Sequence, residues 1–282
     1  MTTVMTTGTL ITVAPTGAES RKAAVAALPV TLDELVSTAK ECEALGAAII
    51  HVHIRDDAAE PTLDQGRLRA TVAALRRSTD LVVQLSSGGA VTDAESDRLA
   101  VLDALPEMAS CTMGTVNFGD AVFLNRWGFI VDLHTRMQER AIVPEYEVFD
   151  LGQLTTLQRL LDSYGLPAGG HVHVDLVMGV PGGMPGTAAA LVACAAAIRD
   201  LPAGTTFSAT GIGRSTLPVM LASLSVGGHL RVGMEDTVTY MKGRPVESNM
   251  QLVARAVGFA HLAQRPPLTP AEARTLLGIV AR

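Results

Sequence analysis

Short runs of apolar, often β-branched residues alternate along the whole chain with longer stretches whose apolar positions recur every three or four residues. The short runs predict strands at "TLITVAP" (9–15), "AAIIHVHI" (47–54), "DLVVQLSS" (80–87), "EMASCTMG" (107–114), "AIVPEYEVF" (141–149), "HVHVDLVM" (171–178), "TTFSAT" (205–210) and "HLRVGM" (229–234). The longer stretches predict helices near 31–46, 64–78, 92–104, 121–139, 152–164, 186–199, 214–226 and 247–264. The first is the best punctuated: Thr31 and Glu34 make a capping box ahead of the periodic run, and Gly46 closes it. A final segment, "TPAEARTLLG", carries its own start signals at Thr269, Pro270 and Glu272 and predicts an extra C-terminal helix.

Eight strand–helix repeats in 282 residues predict an α/β fold, one (β/α)8 TIM barrel filling residues 1–282 as a single domain. A doubly wound open sheet is the competing architecture, but its marker, a Gly-rich turn after the first strand, is replaced here by "TVAPTGAE". No shift in composition divides the chain, and no short internal repeat appears beyond the alternation itself.

Composition narrows the partners. Apolar residues make up 48% of the chain and charged ones 18%, which suits a large buried core. A net charge of −6 without any Lys/Arg run argues against nucleic acid or an anionic membrane as a partner. Cys42, Cys111 and Cys194 are scattered, odd in number and without metal-ligand spacing, which fits a reducing compartment. The N-terminal residues lack a basic region and a cleavage motif, and "GTAAALVACAAAI" is too short to span a bilayer. The expectation is a soluble, cytoplasmic protein.

A barrel of this kind places its chemistry at the C-terminal ends of the strands, so position along a strand sorts the candidates. His51 and His53 stand late in theirs, and a spacing of two puts both imidazoles on one face. They are either a hydrogen-bonded pair or two ligands of a zinc ion. Glu235, just past the eighth strand, offers a third ligand at the same rim; two imidazoles and a carboxylate leave a position open for substrate. "HVHVD" repeats the pattern, but His171 and His173 open their strand, as does His229, so these read as structural.

Other mouth residues add polar chemistry. "QLSSGGA" gathers the Ser86 and Ser87 hydroxyls and the Gly88 and Gly89 backbone where a carboxylate could be received, unless it is an ordinary turn. Ser110 and Thr112 share a face after the fourth strand and could extend that wall. Glu145 and Glu147 share a face on the fifth; an inward glutamate needs a cationic neighbour, and Glu147 is nearer the mouth. Arg231, Glu235 and Asp236 put a permanent cation, a proposed ligand and a candidate base within six residues, the set that carbon-acid chemistry needs, or else a structural salt bridge. Gly211, Gly213 and Arg214 precede a helix start and could touch a phosphate-bearing cofactor or only make a tight turn.

The chain resembles the beta-keto acid cleavage enzymes through "ITVAPTGAE", "PVTLDEL", "GAAIIHVHIRDD", "SSGG", "MGTVNFG", "PEYEVFDLG", "GVPGGMPGT", "GIGRSTLP", "GGHLRVGMED" and "KGRPVESNMQLV". The resemblance implies a zinc-containing (β/α)8 barrel that joins a beta-keto acid with acetyl-CoA, giving acetoacetate and a new CoA thioester. It implies His51, His53 and Glu235 as metal ligands, and Asp236, Arg231 and Glu147 as the catalytic constellation. Ser87 and Gly88 correspond to the carboxylate-binding groups, with Ser110 or Thr112 opposite. Glu19 stands where the founding enzyme receives its substrate's amino group, which implies a cationic substrate such as 3-keto-5-aminohexanoate or dehydrocarnitine. Members assemble, so a homo-oligomer, dimer or tetramer, is expected.

Two alternatives compete. A zinc hydrolase of the amidohydrolase kind also uses a His-x-His pair in a barrel, but on the first strand and with further histidines on the fifth and sixth. A metal-dependent binding protein without turnover is the non-catalytic alternative.

Overall fold

The structure, a computed structural model, describes residues 8–280. Eight parallel strands close into a barrel: β1 (Ile11–Val13), β2 (Ile49–Val52), β3 (Val82–Leu85), β4 (Met108–Thr112), β5 (Val143–Val148), β6 (His173–Met178), β7 (Thr206–Gly211) and β8 (His229–Val232). They neighbour one another in chain order, and β1 pairs with both β2 and β8, so the ring has no free edge. All eight predicted strands are present.

The helices α1 (Leu32–Leu45), α2 (Gln65–Ser78), α3 (Glu95–Ala100), α4 (Trp127–Glu139), α5 (Leu151–Tyr164), α6 (Ala188–Ala197), α7 (Thr216–Ser225) and α8 (Asn249–Leu262) follow the strands in turn. The Thr31–Glu34 capping box forms as its spacing predicts, and Gly46 ends α1 in the left-handed region at φ 115°. Two apolar clusters fill the space between strands and helices, each covering about half of the ring.

One predicted boundary is wrong. Residues 121–123 belong to a hairpin, Val116–Phe118 with Ala121–Phe123, and α4 starts only at Trp127. The two-residue loop Gly119–Asp120, with Gly119 at φ 61°, turns the chain between the two arms. Similar short hairpins follow β2 (Ile54–Arg55 with Pro61–Thr62) and β8 (Thr239–Met241 with Arg244–Pro245). Because they leave the C-terminal strand ends, all three rise around the barrel mouth.

The final helix, α9 (Pro270–Leu277), lies under the opposite end. Its Ala273 and Leu277, with Ile279, pack on Leu10, Ala48, Ile49, Val82, Met108 and Val143. Arg274 anchors it by donating to Glu107 at 2.7 and 3.1 Å and to the carbonyls of Asp80 and Leu81. The apolar side of this helix is therefore the floor of the barrel.

Candidate active site at the barrel mouth

Above that floor the barrel interior is polar: Thr12, Gln84, Ser110, Glu145, His173, Asp175, Ser208 and His229 are all buried. Such a lining destabilises a core unless its groups are paired, so it marks the interior as built for chemistry rather than packing. The deeper groups are partly paired among themselves. His173 shares its two ring nitrogens with Thr206 Oγ1 (2.8 Å) and Ser208 Oγ (3.0 Å), His171 meets the same Thr206 hydroxyl, and the Leu10 N–H donates to His229 Nδ1. These three histidines lie at the N-terminal ends of their strands, away from the mouth.

At the mouth, His51 and His53 converge with Glu235. Alternation on β2 turns Ile50 and Val52 into the helix layer and His51 into the barrel, and His53 follows directly. After β8, Gly233 passes so close to β1 that a Cβ would collide with the Ala14 carbonyl oxygen. That approach brings Glu235 over the ring, its N–H donating to Ala14 O. Gly17, at φ 65°, lets the β1 loop press on the Glu235 side chain from behind. Glu235 Oε1 lies 3.7 Å from His51 Nε2 and 3.6 Å from His53 Nε2, and one ligand atom from each residue falls within 4.8 Å of the other two.

The donor set fits a divalent cation of the zinc type. His51 Nδ1 is engaged by Gln84 Oε1 at 2.5 Å, which leaves Nε2 facing the gap, and burial together with Arg231 lowers the His51 pKa to about 3, so the ring is neutral. Glu235 Oε2 is buried without a hydrogen-bond partner. Charge balance points the same way: Arg231, almost fully buried, faces Glu147 (3.4 Å), Asp175 (4.0 Å), Glu235 and Asp236 (3.0 Å), one cation against four carboxylates.

Those carboxylates differ in proton affinity. Against the cost of burial, Arg231 holds Glu235 well below the usual range. Burial outweighs Arg231 at the other three, pushing Asp236 up to about 7, Asp175 to about 6, and Glu147 upward. Glu145, one layer deeper than Glu147 and 3.6 Å from His173 Nε2, is raised well above the carboxylate range by burial and by Asp175. The acid beside Arg231 at the mouth is thus Glu147, which also accepts from Thr112 Oγ1 at 2.8 Å.

A cavity of about 270 Å³ opens on this cluster. His51, His53, Glu147, Arg231, Glu235 and Asp236 line one side, Phe118, Phe123, Phe149 and neighbouring aliphatics the other, and Glu19 stands at the exposed rim. A larger cavity of about 390 Å³ lies outside the ring against α1 and α2 and touches only His53 of this set.

Three predicted lining hydroxyls sit within the wall instead of on it. Ser87 Oγ donates to the Ser110 carbonyl (2.6 Å), Ser110 Oγ accepts from the Ser87 N–H (3.1 Å), and Thr112 is bonded to Glu147. From this loop, Ser86, Gly88 and Gly89 reach the cavity. The strand period carries the correction: Gln84 and Ser86 point inward, so Ser87 points away. The Gly211–Arg214 stretch forms a tight turn whose Gly213 N–H donates to the Asp236 carbonyl (2.8 Å) and braces the loop behind the candidate base.

Comparison with known proteins supplies what geometry does not. The sequence model of a family described as beta-keto acid cleavage enzyme matches residues 9–279. A 3-keto-5-aminohexanoate cleavage enzyme of Acetoanaerobium sticklandii is 37% identical over 276 residues, 96% of this chain and 98% of that protein. A 3-oxoadipate:acetyl-CoA acetyltransferase of Cupriavidus necator is 33% identical over 98% of this chain and 96% of its own length. Among solved structures, a ternary complex of ObcA with a C4-CoA adduct and oxalate superposes with a TM-score of 0.78 at 20% identity, over 89% of this chain and 67% of that one, a likeness of fold.

Proposed function

The chain belongs to the beta-keto acid cleavage enzyme family, and from that premise we propose that it transfers an acyl group between a beta-keto acid and acetyl-CoA, yielding acetoacetate and a new acyl-CoA. The observation that carries this reading is the convergence, in one cavity, of His51, His53 and Glu235 with Asp236, Arg231 and Glu147.

His51, His53 and Glu235 would hold a zinc ion, which when bound supplies Lewis acidity toward a carbonyl oxygen. Asp236 takes the proton from C2 of the keto acid, its carboxylate aimed by Arg231. Glu147, anchored by Thr112, fixes the other side of the Arg231 guanidinium. The C2 carbanion forms a bond to the acetyl carbonyl carbon and expels CoA thiolate. The thiolate then adds to the original keto carbon, the C2–C3 bond breaks, and Asp236 returns its proton to C2 of the departing acetoacetate. Atoms and charge balance without a redox cofactor.

For the substrate carboxylate, this reading uses Ser86 and Gly88, the loop residues at the cavity, with Ser87, Ser110 and Thr112 supporting them from within the wall. Glu19 favours a substrate with a cationic tail, in line with the amino-bearing substrate in the name of the Acetoanaerobium relative. The same reading extends to a cytoplasmic homo-oligomer acting in amino acid degradation, whose size sedimentation measures. An acetyl-CoA-dependent activity screen over cationic, neutral and anionic beta-keto acids tests the reaction. Turnover without acetyl-CoA would favour a hydrolase instead.

A further inference from the structure

The mouth has an electrostatic problem: Arg231 is engaged by four carboxylates, yet the reaction proposed above needs an anionic keto acid to enter beside them. We propose that Arg98, on α3, is a positioning residue that aims the Gly88 N–H at the substrate carboxylate and supplies the positive potential behind it. This inference rests on the keto-acid reading of the site.

Arg98 is 2% exposed, and each of its three nitrogens donates a hydrogen bond. Nε donates to the Ser87 carbonyl (2.8 Å), Nη1 to the Leu124 carbonyl (2.7 Å) and Nη2 to Asn125 Oδ1 (2.6 Å), while the guanidinium carbon stacks 4.7 Å from the Phe123 ring and 4.3 Å from Phe129. All three acceptors are neutral. Burial lowers the Arg98 pKa to about 10, so the group keeps its proton at neutral pH. No carboxylate is hydrogen-bonded to it; Glu147, Glu95 and Asp93 act on its charge only through space.

The link to the cavity is one peptide plane. In a trans peptide the carbonyl and the following N–H point in opposite directions. With the Ser87 carbonyl drawn back to Arg98, the Gly88 N–H faces forward, where Ser86 Oγ now accepts it at 3.2 Å. Ser87 is itself held in the wall, its N–H and hydroxyl both bonded to Ser110, so the peptide that follows it is set by the Arg98 bond to its carbonyl. Gly88 and Ser86 line the same cavity as His51, His53 and Glu235, so an incoming carboxylate that takes the place of Ser86 Oγ meets an N–H polarised by a buried cation.

The test is calorimetric titration of the zinc-loaded full chain with acetoacetate, comparing wild type, Arg98→Lys and Arg98→Met, with thermal unfolding and zinc content measured alongside. Arg98→Met is expected to bind acetoacetate roughly tenfold more weakly, the loss typical of a charge-assisted hydrogen bond. Arg98→Lys, which keeps the charge but lacks the fork, falls in between. The KM for the keto acid rises in step, while the KM for acetyl-CoA and the zinc content stay at wild-type values. If Arg98→Met does not fold, Arg98→Lys carries the test alone. Affinity within about twofold of wild type in a folded variant, with only the melting temperature or active fraction reduced, would mean a purely structural arginine and overturn the inference. Wild-type protein that binds acetoacetate but performs no acetyl-CoA-dependent transfer would sink the reaction and leave the Arg98 result standing; failure of wild type to bind acetoacetate sinks both.

Discussion

At the scale of single residues, Glu235 and Asp236 are adjacent in sequence and opposite in character. Arg231 keeps Glu235 ionised against the cost of burial, while burial lifts Asp236 to about 7. Under the proposed assignment the difference separates a ligand from a base, and it predicts distinct phenotypes. His51→Ala and Glu235→Gln are expected to lose zinc and activity together, whereas Asp236→Asn keeps its zinc and loses roughly 10²–10⁴ of kcat. Elemental analysis of the three purified proteins beside their rates is decisive; full zinc in the first two removes the ligand assignment. Glu19→Gln is expected to lower kcat/KM for cationic keto acids several-fold, about 1 kcal/mol for an exposed charge, and to leave neutral ones alone. Equal losses on both would detach Glu19 from substrate choice. Much of this set was legible because alternation on a strand is regular: His51, His53, Glu147 and Arg231 follow from it. Applied one strand further, the same rule separates Ser86 from Ser87. Arg98 was not legible, since a lone helix arginine gains its meaning only where a loop carbonyl folds back onto it.

At the scale of elements, the caps and apolar runs read cleanly and the mouth insertions did not. Barrel strands announce themselves because both faces are buried, whereas the Val116–Phe123 hairpin has one exposed face and a short arm, and its residues merged into the helical pattern that follows. The capping box of α1 makes a measurable claim. Lys22 donates to Glu34 at 2.6 Å, and the backbone N–H groups of Val30 and Thr31 donate to the same carboxylate. Chiefly through Lys22, these contacts lower the Glu34 pKa from 4.5 to about 2. A depressed carboxylate stabilises the fold above its unfolded pKa and loses that contribution as pH falls through the folded one. Glu34→Gln should therefore cost about 0.5–1 kcal/mol at neutral pH, discounted for exposure, and the gap to wild type should close between pH 4.5 and about 2. Denaturant melts at several pH values measure it, and a gap that widens on acidification refutes the linkage. At the other end of the barrel, Leu277→Ala removes a fully buried side chain from the floor and is expected to cost about 2–5 kcal/mol. A cost below about 1 kcal/mol would mean that α9 is an appendage and not the floor.

For the whole molecule, the candidate site is a consequence of closure. His51 and His53 come with β2, Glu235 follows β8, and the two strands flank β1 without pairing with each other. An ion held by all three side chains thus ties together two strands from distant parts of the sequence at the place where the ring closes, and the unfolded chain has no such site. Without the ion, one arginine faces four carboxylates, three of them buried, an arrangement whose electrostatic cost opposes folding. Binding to the native state alone stabilises by about 2.7 kcal/mol at a free-ion concentration roughly 100 times Kd. For a domain of this size that is a rise of several degrees in Tm. Zinc added to chelator-stripped protein is therefore expected to raise the melting temperature in a concentration-dependent way, and Glu235→Gln is expected to show little of that rise. Asp236→Asn should retain the response, because it removes a base and leaves the ligands. A similar shift in Glu235→Gln, or none in wild type, would separate the ion from the ring and leave the three converging side chains as an ordinary hydrogen-bonded cluster.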